Sequence, residues 1–207
     1  MNYSIVDTGG SRSFPAGDAF LAKASREADV VVVIGNGTFP KVSARAAVLL
    51  ELGTECLGVH TGESRGNEGS NVLGFARFRL GEAPPSSLVE LVRQPKTDPA
   101  ALAAAKAVFE GAGLGVAVCN DFPGRIVDRL LRPYLNAALR RLDEGLATAD
   151  DMDTTLRLGL GYPEGPIALL ERTGLAAHFD IAQALHEALG DPAYAPARRA
   201  RVAKMRS

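Results

Sequence analysis

Apolar and polar residues follow one period before about residue 120 and another after it. Beyond that point Ile126, Val127, Leu130, Leu131, Leu135, Ala138 and Leu142 recur at helical spacing. The stripe predicts a helix over 124–144 with one face to bury, and Arg125, Arg129, Arg132 and Arg140 lie elsewhere on it. Asp121-Phe122-Pro123-Gly124 breaks the chain ahead of it, and Glu144-Gly145 ends it, the glycine acting as cap. Pro133 has no N–H to donate and predicts a kink or a loosened turn. Further helices are expected at about 149–158, 166–173 and 175–189, with Thr148 as N-cap and Asp151 three residues on. The tail 191–207, with Arg198, Arg199, Arg201, Lys204 and Arg206, reads as a solvated, frayed terminus.

The first half has strand signals. Tyr3–Asp7 is a short strand before a Gly-rich turn, and 28–34 is a continuous β-branched run, the mark of a strand covered on both faces. Further strands are expected at 55–59, within 71–80, at 88–92 and at 115–119, with loops at 61–70 and 81–87. Helices are expected at 15–28, at 40–52 and from Pro99 to Glu110, the last capped by Asp98. The alternation predicts a parallel sheet with right-handed crossovers. The fold expected is therefore α/β and then all-α: an α/β domain over 1–120 and a helical domain over 121–207.

Composition narrows the function. A net charge of −1 argues against a dedicated nucleic-acid binder. No apolar run approaches the ~20 residues of a membrane span, and the N-terminus lacks the plan of a signal peptide. Cys56 and Cys119 form no metal or CxxC pattern, which favours a reducing cytoplasm. Asp150, Asp151 and Asp153 suit the dipole of a helix start, with no metal site in view. His178 and His186, eight apart, read as structural or solvent-facing, and His60 as a turn histidine at a strand end.

A dinucleotide domain is expected to show strand, G-x-G-x-x-G, helix and then an acid about twenty residues on. No stretch does so. Gly9-Gly10 is followed by Ser11-Arg12-Ser13-Phe14-Pro15, and Gly35-Asn36-Gly37 has no third glycine before Pro40. The second run reads as a tight turn, with a phosphate contact as the less favoured alternative.

The residue order adds a resemblance. DFPGRIVDRLLRPYLNAA (121–138) followed by EGLATADDMDTTLRLGLGYPEGPIALLERTGL (144–175) resembles the C-terminal domain of NAD-dependent 3-hydroxyacyl-CoA dehydrogenases, of the 3-hydroxybutyryl-CoA dehydrogenase type. The whole chain resembles the second half of the long members of that family. It would then be a shortened, reduced Rossmann-like sheet followed by the helical domain.

The resemblance implies a His as acid/base on the 3-hydroxyl, an acid twelve residues later to orient it, and a nearby Ser and Asn. Imidazole suits the task because it titrates near working pH. LVELV (88–92) matches the family's strand and puts Glu90 at the acid position; twelve residues back stands Phe78, where the His is expected. Phe78 can neither accept nor donate a proton. The Asn of the family's IVNR is Asp128 here, and no serine matches securely near Val59-His60-Thr61-Gly62. Tyr162, Pro163, Gly165 and Pro166 resemble the family's GHPMGP segment, near the acyl cleft and dimer contact, with Glu164 in the place of its Met.

These matches and losses imply a portion of a 3-hydroxyacyl-CoA dehydrogenase of fatty-acid metabolism that is itself non-catalytic. It would serve packing, dimerisation and formation of the acyl-CoA cleft. No cofactor is expected for this chain alone, although the family uses NAD. The expected partner is another helical domain of the family, in a homodimer or in the N-terminal half of a longer chain. Surplus apolar surface on consecutive helices fits such a contact. The alternatives are an active oxidoreductase with a rearranged or partner-supplied site and a CoA-ester binding module.

Overall fold

The computed structural model describes residues 2–37 and 45–207. They form two compact units, one of residues 1–79 and 85–126, the other of 80–84 and 127–207.

In the first unit a six-stranded sheet runs β1 (Tyr3–Asp7), β2 (Val30–Ile34), β3 (Ala47–Glu51), β4 (Val72–Arg77), β5 (Leu88–Arg93) and β6 (Gly115–Asn120), with neighbours in that spatial order. All pairings are parallel except β4 with β5, which are antiparallel in the register Phe75↔Leu91, Ala76↔Glu90, Arg77↔Val89. The sheet is thus mixed rather than wholly parallel, because the short link from β4 to β5 permits a hairpin and not a crossover.

Successive side chains of a strand point to opposite faces. One face buries Val30, Val32, Ile34, Leu49, Leu73, Phe75, Val89 and Leu91 under α1 (Ala19–Ala22) and α3 (Pro99–Gly111). Helix α3 presents Ala101, Ala104, Ala105, Val108 and Phe109, the spacing of one helical face, and Asp98 caps it by accepting from the Ala100 N–H at 2.8 Å. The other face buries Val31, Val33, Val48, Leu50, Val92 and, from the following loop, Leu52 and Leu57.

Three local expectations are corrected here. Ala47–Glu51 is a strand and not the end of a helix over 40–52; residues 38–44 of that stretch lie outside the described residues. The short apolar run is ambiguous by period, and burial on both faces between β2 and β4 decides it. Residues 55–59 form no strand: α2 (Gly58–Thr61) begins there, since Asp121 accepts from the N–H groups of Leu57 (2.6 Å) and Gly58 (2.8 Å). The helix expected at 15–28 shrinks to the single turn α1, because Gly17 takes φ +86° and Asp18 starts the helix anew by accepting from Phe20 N–H.

The second unit is helical: α4 (Ile126–Asp143, its first residue counted with the sheet unit), α5 (Ala149–Leu160), α6 (Pro166–Thr173), α7 (Leu175–Leu189), a 3₁₀ turn Pro192–Tyr194 and α8 (Arg198–Met205). Thr148 caps α5 as expected, its hydroxyl accepting from Asp151 N–H at 3.1 Å. The tail is ordered helix, not a frayed end. Ala197 and Ala200 are buried, Arg199 pairs with Asp143, Lys204 with Asp180, and the Arg201 guanidinium lies over the Phe179 ring. Pro133 sits within α4, which continues through it. Proline deprives the carbonyl four residues back of its helical donor. That carbonyl, on Arg129, receives the Tyr194 hydroxyl at 3.0 Å instead.

Candidate functional site

In parallel α/β sheets, ligands gather at the carboxyl ends of the strands. At that edge β1, β2 and β3 end side by side. The two Gly-rich runs that follow β1 and β2 bond to each other. Asn36 N–H donates to the Gly9 carbonyl (2.9 Å), Asn36 Nδ2 to the Gly10 carbonyl (3.2 Å) and Gly37 N–H to Thr8 Oγ1 (3.0 Å). Gly35 has φ +101°, and a side chain there would collide with the Gly9 carbonyl and Thr8 Oγ1. Glycine is thus required by the contact between the loops. Below them Glu51, 6% exposed, accepts from the N–H groups of Arg12 (3.0 Å), Ser13 (2.7 Å) and Gly35 (2.8 Å). The amides of Arg12, Ser13, Gly35, Asn36 and Gly37 are thus bonded within the chain.

Beside them a hollow of about 280 Å³ is lined by Gly35, Asn36, Gly37, Glu51, Gly53, Glu55 and His60. Burial pushes the Glu55 carboxyl up. The amides of Glu55 and Gly53, the His60 ring at 3.3 Å and the nearby Arg125 charge outweigh it and hold that carboxyl below its ordinary value. Arg125 donates to the Gly53 carbonyl. His60 is thus tied to an acid rather than facing an open cavity alone.

Phe78 and Glu90 both belong to the sheet unit. Glu90, on β5, is buried and stands opposite Ala76 and Ala117. Phe78 follows β4 directly, its carbonyl accepting from Ser86 N–H at 2.8 Å. The two residues expected from the sequence thus lie on the two arms of one hairpin, and the Phe78 ring carries no titratable proton. Cys119, opposite Val92, has its thiol pushed up to about 11 by burial, with Glu90 and Asp121 adding to the shift; it is no ready thiolate.

Asp128 belongs to the helical unit. It accepts from Arg132 Nε at 2.8 Å, one turn along α4. Arg132 is itself almost fully buried and touches His178 Nδ1 at 3.0 Å; His178 Nε2 lies 2.9 Å from Asn136 Oδ1; and Asn136 Nδ2 donates to the carbonyls of Ala193 (3.2 Å) and Tyr194 (3.1 Å). Asp128 is thereby engaged in a buried chain of hydrogen bonds that ties α4 to α7 and to the 3₁₀ turn. The sequence offered no sign of this chain beyond the expectation that His178 is structural.

The segment Tyr162-Pro163-Glu164-Gly165-Pro166 is pinned from α5. Asp153 accepts from Ile167 N–H (2.9 Å) and Ala168 N–H (2.8 Å), and so caps α6 from another helix. A side chain on Gly165 would collide with Asp153. Glu164 pairs with Arg172, and Tyr162 packs edge-on against Tyr134 at 6.0 Å. Burial, followed by Tyr162 and Asp153, pushes the Tyr134 hydroxyl up to about 12. Asp150, Asp153, Arg157, Pro163, Glu164 and Gly165 help to line an open hollow of about 460 Å³. Among the described residues no group of three or more His, Cys, Asp or Glu side chains could hold a metal. No helix among them is long and apolar enough to cross a membrane.

Glu51, Arg132 and Asn136 are the residues that sequence reading missed. Glu51 was hidden in a stretch read as helix, although an acid at the end of an apolar run and just before Gly53 is a usable signal. Arg132 and Asn136 sit on the face that α4 buries, with Leu135, Ala138 and Leu139; this is not the face expected from the apolar stripe, of which Ile126 and Leu130 are exposed, and a polar residue buried there asks for a partner.

Residues 124–205 match the family model described as 3-hydroxyacyl-CoA dehydrogenase, C-terminal domain. A 3-hydroxybutyryl-CoA dehydrogenase of Bradyrhizobium diazoefficiens is 39% identical over 117 residues, covering 56% of this chain and 40% of that protein. One of Mycobacterium tuberculosis is 40% identical over 127 residues, covering 60% and 43%. The crystal structure of (S)-3-hydroxybutyryl-CoA dehydrogenase from Ralstonia eutropha superimposes with a TM-score of 0.71 at 24% identity, over 84% of this chain and 64% of that one, which is a likeness of fold. The chain spans about two fifths of the length of the curated relatives that it matches. Residues 124–205 are thus similar to the C-terminal domain of 3-hydroxyacyl-CoA dehydrogenases, and the chain as a whole resembles part of the longer members of that family.

Proposed function

We propose that this chain is a non-catalytic portion of a 3-hydroxybutyryl-CoA dehydrogenase, acting in acyl-CoA and fatty-acid metabolism in the cytoplasm. Its helical unit would pack against another helical domain of the family, in a homodimer or in the N-terminal half of a longer chain, and help to form the acyl-CoA cleft. NAD would be held by that partner and not by this sheet. The reading is carried by Phe78: the acid Glu90 is buried on the other strand of the same hairpin, yet position 78, where the family's His is expected, holds a phenyl ring. Two further observations support it. Asp128, at the family's Asn position, is committed to Arg132. Leu130, Leu158 and Leu160 of the helical unit are exposed, Leu158 by 82%, which suits a surface awaiting a partner.

Purified chain should not reduce NAD with 3-hydroxybutyryl-CoA. NADH formation that disappears in Glu90→Ala would overturn the reading. In sedimentation, the chain should associate with itself or with a catalytic helical domain, and Leu158→Glu should weaken that association.

A further inference from the structure

We infer that the Glu51 carboxylate is a built-in substitute for an external anion, and that it closes the carboxyl edge of the sheet to phosphate-bearing ligands. The inference deepens the non-catalytic reading and takes its meaning from it. Its test, however, reads binding and stability, not turnover.

Three backbone N–H groups converge on one carboxylate. Two come from the loop after β1 (Arg12, Ser13) and one from the loop after β2 (Gly35), at 2.7–3.0 Å. A convergence of amides from neighbouring loops is the arrangement that proteins use to hold anions. Here the anion arrives on the end of β3, from a residue 6% exposed, and satisfies the donors before any ligand can. The loops above are also locked together by Thr8, Gly9 and Asn36, so the donors cannot be turned outward without breaking those bonds. A second negative charge placed beside a buried carboxylate is strongly disfavoured in a low-dielectric setting. Glu51 therefore excludes phosphate twice, by using the donors and by its own charge. Asp7, accepting from Gly9 N–H at 2.8 Å, adds to the negative field at the same edge.

Removing the side chain should turn the filled cradle into an open one. In Glu51→Ala the three amides lose their acceptor, and the variant should melt below the unaltered chain. Sodium formate should then restore it, because a ligand held only by the native state raises stability. With a Kd of about 10 mM, ~100 mM formate raises the folding equilibrium constant roughly elevenfold. The unaltered chain should respond to formate no more than to chloride at equal ionic strength. In the unaltered chain, pyrophosphate at millimolar concentration should leave the NMR amide signals of Arg12, Ser13 and Gly35 in place.

The inference fails if Glu51→Ala responds to formate no better than to chloride. It fails also if pyrophosphate moves those three amides in the unaltered chain, a measurement that stands even if Glu51→Ala does not fold. NAD-dependent turnover by the unaltered chain, with formate rescue of the variant intact, would instead sink the non-catalytic reading and leave the cradle as described.

Discussion

Arg132 Nη1 lies 3.0 Å from His178 Nδ1, and both side chains are about 1% exposed. A guanidinium can only donate, so Nδ1 must accept. The imidazole is therefore neutral, with its proton on Nε2, where it donates to Asn136 Oδ1 at 2.9 Å. Burial, with the Arg132 charge adding to it, pushes the His178 pKa down to about 3. The unfolded chain binds a proton near pH 6.5 while the folded one does not. Stability from this group is then complete above about pH 6.5 and is lost as pH falls towards 3, to an extent on the order of a few kcal/mol. Urea midpoints from pH 7 to pH 4 should fall accordingly, and His178→Gln should flatten that slope while lowering stability at pH 7.

Asp128→Asn keeps the shape of the family's residue but removes the charge facing Arg132. The buried guanidinium then loses its ion pair with residue 128. A loss of about 1–3 kcal/mol is expected from chemical denaturation. The double variant Asp128→Asn with Phe78→His should still form no NADH from 3-hydroxybutyryl-CoA, since neither change frees the amides held by Glu51.

Tyr194→Phe removes the donor that replaces the missing N–H of Pro133. The Arg129 carbonyl would lose that donor, with a cost of about 1–2 kcal/mol. Pro133→Ala supplies an N–H again, so Tyr194→Phe should cost less in a Pro133→Ala background. A double-mutant cycle on thermal unfolding checks this coupling.

Asp153→Ala strips the first turn of α6 of both amide acceptors. About 1–2 kcal/mol should be lost, the scale of a removed N-cap. Asp153→Asn, which keeps one acceptor oxygen, should lose less; differential scanning calorimetry on both variants tests the order.

The helical unit was legible because its signals are local. The helical period from Ile126 to Leu142, the cap at Thr148 and the turn around Pro163 lie within a few residues of what they specify; the face that α4 buries was not legible, since it carries Arg132, Leu135, Asn136, Ala138 and Leu139 while Ile126 and Leu130 of the predicted stripe are exposed. The sheet was harder. Ala47–Glu51 is a strand only because β2 and β4 flank it, and no local residue says so. The turn α2 depends on Asp121, 64 residues away from Leu57. Tyr194 is linked to Pro133 only through the folded path of the chain. Of the candidate site, Phe78 and Glu90 were placed by the resemblance of LVELV to the family's strand and a count of twelve residues back from it, whereas the partners of Asp128 and Glu51 are supplied only by the fold.

The strand order has one further consequence. Ligand crevices in open α/β sheets form where two adjacent connections set off in opposite directions and their loops part. Among the described strands each new one is added on the same side of the last, from β1 to β6. The loops at the carboxyl edge have no point of divergence, and those after β1 and β2 lean on each other. Along the edge that these six strands present, the geometry that would open such a gap does not occur, and the contact between the two neighbouring loops is what takes its place.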